Sequence, residues 1–121
     1  MSTHRLGRRI LCGVFLSTVL IPSLMAHAIL LEATPGKNGS VAGPDFKVLL
    51  KFNSRIDGTR SQITLVHPEQ TAHTLTIEKQ SAPEVLSAKA SGLRPGTYRL
   101  RWQVLASDGH ITRGEYTFQV K

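Results

Sequence analysis

With 121 residues, 15 of them basic and 8 acidic, the chain has room for a single domain and carries a net charge of +7. Its one cysteine, Cys12, excludes a disulfide-stapled scaffold. The basic residues are scattered, with no arginine stripe interleaved with aromatics, which argues against nucleic acid as a partner.

Arg5, Arg8 and Arg9 open the chain, an apolar run follows from Ile10 to Ile21, and Pro22 to Ala26 comes after it. A basic start, an apolar stretch of about 7–15 residues and a small residue at the cut make a secretory signal. The run is shorter than the about 20 residues that a membrane-crossing helix needs. The expectation is a signal peptide over 1–26 and a domain over 27–121, with no stable membrane insertion after cleavage. Arg8-Arg9 also fits part of a twin-arginine signal, although paired arginines are common in ordinary export signals too. On pattern alone the position of the cut stays open. Ala26-His27-Ala28 is a literal A-x-A and favours a cut after Ala28, whereas Leu24-Met25-Ala26 is a weaker match that favours a cut after Ala26.

Cleavage removes Cys12, both methionines and three arginines, which leaves twelve basic residues against eight acidic ones. That modest excess suits a solvated surface. Without thiolate or thioether, neither a blue-copper site nor a stable Cu(I) site is expected.

The rest of the chain reads as short strands between turns. Ile29 to Leu31 begins the first, and Thr34 to Gly39 is rich in turn residues. Phe46 to Phe52 is a strand with one apolar face, Asn53 to Thr59 a polar loop, and Gln62 to Val66 a strand closed by His67-Pro68. Thr71 to Ile77 alternates and is β-branched. Glu84 to Ala90 is a weaker strand, and Leu93 to Gly96 a turn. Tyr98, Leu100, Trp102 and Val104 share one parity, with Arg99, Arg101 and Gln103 on the other, as a half-buried strand requires. Ala106 to Gly114 reads as loop, and Tyr116, Phe118 and Val120 mark the last strand. No segment after Ala26 holds a 3.6-residue period. About seven strands with turns between them predict an all-β antiparallel sandwich or barrel, and about 95 residues can bury a core without metal.

Four histidines follow Ala26: His27, His67, His73 and His110. As an N-terminal residue, His27 would offer two nitrogens, a free α-amine with a pKa near 8 and an imidazole, which together close a chelate ring. Asp108 and His110 are two apart, so in an extended segment they share a face. The resulting three-nitrogen, one-oxygen set suits Cu(II), which also stands highest among divalent first-row ions in the Irving–Williams order; Ni(II) and Zn(II) would bind more weakly. The spacing has a plainer reading too, because Asp108-Gly109 is a strong turn pair. His67, before Pro68, is read as ending a strand. His73 shares parity with Leu75 and Ile77 and is expected to be half-buried. Both are read as structural or surface residues.

His27-Ala28-Ile29-Leu30-Leu31-Glu32-Ala33-Thr34-Pro35, Leu49-Leu50-Lys51-Phe52-Asn53, Gly96 to Val104, Ser107-Asp108-Gly109-His110 and Gly114 to Phe118 together resemble the CopC family of periplasmic copper-resistance and copper-homeostasis proteins. The resemblance implies an immunoglobulin-like Greek-key β-sandwich or barrel. It implies a periplasmic Cu(II) site at His27, Asp108 and His110, and a cut just before His27. It also implies sequestration or delivery of copper without catalysis, and a CopD-like inner-membrane copper protein as partner. Some family members carry a methionine-rich Cu(I) segment, which this chain lacks. Two other classes share parts of the pattern. A copper-brace oxidative enzyme also chelates through an N-terminal histidine, but keeps open the position that Asp108 would fill. A metal-free immunoglobulin-like interaction module needs none of these ligands.

Overall fold

The computed structural model describes residues 12–18 and 27–121. The expected signal peptide over 1–26 lies outside the described residues apart from 12–18. No helix among the described residues is long and apolar enough to cross a membrane.

Among the described residues eight strands form in order: β1 (Leu30–Thr34), β2 (Ser40–Val41), β3 (Phe46–Phe52), β4 (Ile56–Val66), β5 (Ala72–Leu75), β6 (Val85–Ala90), β7 (Gly96–Ala106) and β8 (Ile111–Val120). They make the expected all-β Greek-key sandwich. One sheet runs β1-β3-β6 and the other β2-β8-β7-β4-β5. Seven strands have four residues or more; the eighth, β2, is a two-residue ribbon paired parallel to the end of β8.

Alternation builds the core. Val48, Leu50 and Phe52 of β3 and Leu86 and Ala88 of β6 point inward from one sheet. Ile63 and Leu65, Leu100 and Val104, and Phe118 and Val120 point inward from the other. Two tyrosines tie loops to this core. The Tyr98 hydroxyl donates to the carbonyl of Arg94 at 2.8 Å, and the Tyr116 hydroxyl donates to the carbonyl of Pro35 at 2.6 Å. Burial pushes the ionisation of Tyr116 up, because its phenolate would be desolvated.

Two segments read as loops are partly strand. Only 53–55 separates β3 from β4, because Ile56 is buried and pairs with Ala106. Register shifts between Asp57 and Gln62, and there Gly58 admits the Gln80 side chain, to which its N–H donates at 3.2 Å. Likewise β8 starts at Ile111, not beyond Gly114. Gly114 lies opposite Trp102 in the ladder, and any Cβ there would collide with the indole. Its small size thus makes room for a ring and does not break the strand. Trp102 spans the sheets, with its ring centroid 6.4 Å from Phe52 and 5.9 Å from Tyr116.

Candidate metal centre

Between β7 and β8 the chain turns in four residues, Ser107 to His110. The Ala106 N–H donates to the carbonyl of His110 at 2.9 Å, and the Gly109 N–H donates to the carbonyl of Ala106 at 2.9 Å. Gly109 has φ of 90°, a left-handed conformation that favours glycine. The Ser107 N–H reaches across to the carbonyl of Arg55 at 3.0 Å, which fastens the turn to the loop before β4.

Within the turn Asp108 and His110 face each other. Asp108 Oδ1 accepts the His110 backbone N–H at 3.0 Å, and Oδ2 stands 3.0 Å from His110 Nδ1. The backbone bond, then the imidazole, hold the Asp108 carboxyl below the usual carboxylate range. Nδ1 is enclosed against the carboxylate without a well-formed hydrogen bond, and Nε2 lies on the other side of the ring. The two side chains remain 39% (Asp108) and 43% (His110) exposed, open to an incoming ion.

His27 is exposed, yet the residues after it are anchored. Ala28 is buried, and its N–H donates to Thr112 Oγ1 at 3.3 Å. The Ile29 N–H donates to Asn53 Oδ1 at 2.8 Å, and the Asn53 N–H donates back to the carbonyl of Ile29 at 3.0 Å. Thr112 is two residues beyond His110, so this clamp holds the chain just after His27 at the end of the sandwich where the turn lies. Among the described residues, no three His, Cys, Asp or Glu side chains stand close enough to enclose a metal ion. The structure therefore brings Asp108 and His110 together and does not close His27 onto them. In the uncut chain the backbone nitrogen of His27 is an amide and not an amine donor.

The anchors Asn53, Arg55 and Thr112 escaped the sequence reading. Each acts across a long separation, such as Ala28 to Thr112, for which no local pattern exists. His67 and His73 lie at the far end of β7, with ring centroids 5.2 Å apart. His73 is exposed, not half-buried as its parity predicts, because the short β5 lies at the edge of its sheet.

The CopC domain model matches residues 30–121. Protein YobA of Escherichia coli strain K12 is 30% identical over 124 residues, covering 100% of both chains. The crystal structure of CopC from Methylosinus trichosporium OB3b superposes with a TM-score of 0.73 at 30% identity, covering 78% of this chain and 94% of that one. PcoC, a methionine-rich copper resistance protein from Escherichia coli, superposes with a TM-score of 0.66 at 27% identity, covering 79% and 100%.

Proposed function

The chain belongs to the CopC family, and from that premise we propose that it is a periplasmic Cu(II)-binding protein that sequesters or delivers copper. Its copper is cargo, held without bond chemistry in a substrate. The ligands on this reading are the α-amine and imidazole of His27, a carboxylate oxygen of Asp108 and an imidazole nitrogen of His110, and the cut falls after Ala26. The observation that carries the reading is the bond from Ala28 to Thr112, which holds the residue next to His27 beside the strand that begins after His110. Once the peptide bond before His27 is cut, its new amine is free to turn toward the Asp108–His110 pair. Nitrogen and oxygen donors, with no sulfur after Ala26, favour Cu(II) over Cu(I).

The test begins with the intact mass of the exported protein, which should start at His27. Titration with Cu(II), followed by the fluorescence of Trp102, should saturate at one equivalent. Binding should fall between about pH 7 and 5, because amine and imidazole must both be unprotonated to coordinate. A mature chain starting at Ile29, or an affinity flat across that pH range, contradicts the assignment.

A further inference from the structure

The two sheets sort their outward basic residues by type. Lys47, Lys51 and Lys89 stand on the outer face of the three-stranded sheet, while Arg99, Arg101 and Arg113 stand on the outer face of the five-stranded sheet. Register makes the arginines neighbours. Gln62, Gln103 and Arg113 form one row across β4, β7 and β8, and Thr64, Arg101 and Glu115 form the next.

Two guanidinium groups share one carboxylate there, and a third stands beside them. Glu115 Oε2 lies 3.2 Å from Arg101 Nε and 3.8 Å from Arg99 Nε. Arg113 Nε donates instead to the neutral Gln103 Oε1 at 2.9 Å, and among the described residues Arg113 forms no ion pair. Arg99 Nε is enclosed and has no hydrogen-bond partner. Between these side chains runs a cleft of about 350 Å³, lined by both rows together with Trp102 and Gly114.

We propose that this outer face of the five-stranded sheet docks an acidic, extended segment of a partner protein, whose carboxylates are gripped by Arg101 and Arg113 in the cleft. A guanidinium presents a planar fork of donors that matches a carboxylate through two parallel bonds, which a lysine ammonium does not. Gln62, Thr64 and Gln103 add neutral donors and acceptors suited to a peptide backbone. Glu115, in the middle of the patch, accepts a peptide N–H, and an extended segment with its carboxylates on alternate residues straddles it, where an unbroken phosphate chain would meet it directly. The surface stands independently of the proposed copper ligands, none of which lines the cleft.

The test uses the protein as exported and a fluorescein-labelled peptide of four Glu-Ser repeats. Fluorescence anisotropy at low ionic strength should report saturable binding that weakens as salt is added. Arg113→Gln and Arg101→Gln should each weaken it about threefold to tenfold. Arg113→Lys, which keeps the charge and removes the fork, should weaken it too. Lys47→Gln and Lys89→Gln, on the other sheet, should leave it within about twofold. Thermal melts confirm that each variant folds, and the lysine substitution covers the case in which a glutamine variant does not. The proposal is overturned by absence of binding to the parent protein, by equal losses in arginine and lysine variants, or by a Gln-Ser peptide that binds as well. Inorganic phosphate competing at the peptide's own concentration would also overturn it, since the cleft would then be a simple anion site.

Discussion

At the end of the sandwich where β7 turns into β8, His110 and Asp108 are both substantially exposed and occupied chiefly with each other. At the other end, about 25 Å away along β7 by the rise of a strand, His67 lies edge-on to Tyr98 with ring centroids 5.3 Å apart. Its side chain is only 18% exposed, and its Nε2 is enclosed without a partner. Glu69 stands 3.9 Å from His67 Nδ1, too far for a hydrogen bond. Both ends therefore hold a histidine near a carboxylate. At one end the imidazole is offered to solvent by a turn built around a left-handed glycine. At the other it packs on the aromatic that anchors the turn into β7. Histidine content alone does not mark a metal site; what separates the ends is whether the ring is presented or packed.

Blocking the amine should remove most of the affinity of the exposed end. A methionine placed before His27 turns that amine into an amide and should lower Cu(II) affinity at least about a hundredfold, read by titration against Trp102 fluorescence. An unchanged affinity would mean that the exposed turn does not bind copper through His27. A smaller effect belongs to Asp108→Asn, expected to weaken Cu(II) about tenfold by removing an anionic donor. The carboxylate pKa is depressed in the fold, so Asp108 stays charged above and through the usual carboxylate range and loses its charge only below it. The parent protein's acid release between about pH 7 and 5 then belongs to amine and imidazole, and the weaker Asp108→Asn site should release its Cu(II) at a higher pH than the parent. An Asp108→Asn variant whose Cu(II) affinity no longer falls with acid would assign the proton to the carboxylate.

Tyr98→Phe probes the packed end. It deletes the hydroxyl that donates to the carbonyl of Arg94 and should cost about 1 kcal/mol in chemical denaturation, with Cu(II) binding untouched. A change in copper affinity would show that the two ends are coupled through the core.

Much of the fold was legible because strong alternation survives in single strands. Phe46 to Phe52 forms β3 with the expected bounds, and the parity of Tyr98, Leu100 and Val104 matches their burial. The reading failed where tertiary contact overrides local chemistry. Gly114 reads as the end of a loop and is a seat for Trp102; Asp57 to Thr59 reads as loop and is part of a bulge inside β4. At the site, the two-residue spacing of Asp108 and His110 was enough to expect them on one face, and they do meet. The clamp of Ala28 by Thr112 and of Ile29 by Asn53 was not legible, since pairing across 84 and 24 residues leaves no periodic trace.

His73→Gln should change least, and it probes the packed end at its edge strand. His73 is exposed on the short edge strand β5, beside His67 but with no hydrogen bond from its own ring among the described residues. Replacing an exposed side chain without such ties shifts stability by no more than about 0.5 kcal/mol. If the far end is packing and nothing else, the melting curve of His73→Gln will overlay that of the parent and the copper stoichiometry will stay at one. Two imidazoles with centroids 5.2 Å apart are nevertheless near enough to chelate if the rings rotate. A parent protein that takes up a second equivalent of Cu(II), lost in His73→Gln, would show that the edge strand presents its histidine as the β7–β8 turn does. The line between the two ends would then follow metal affinity and not exposure.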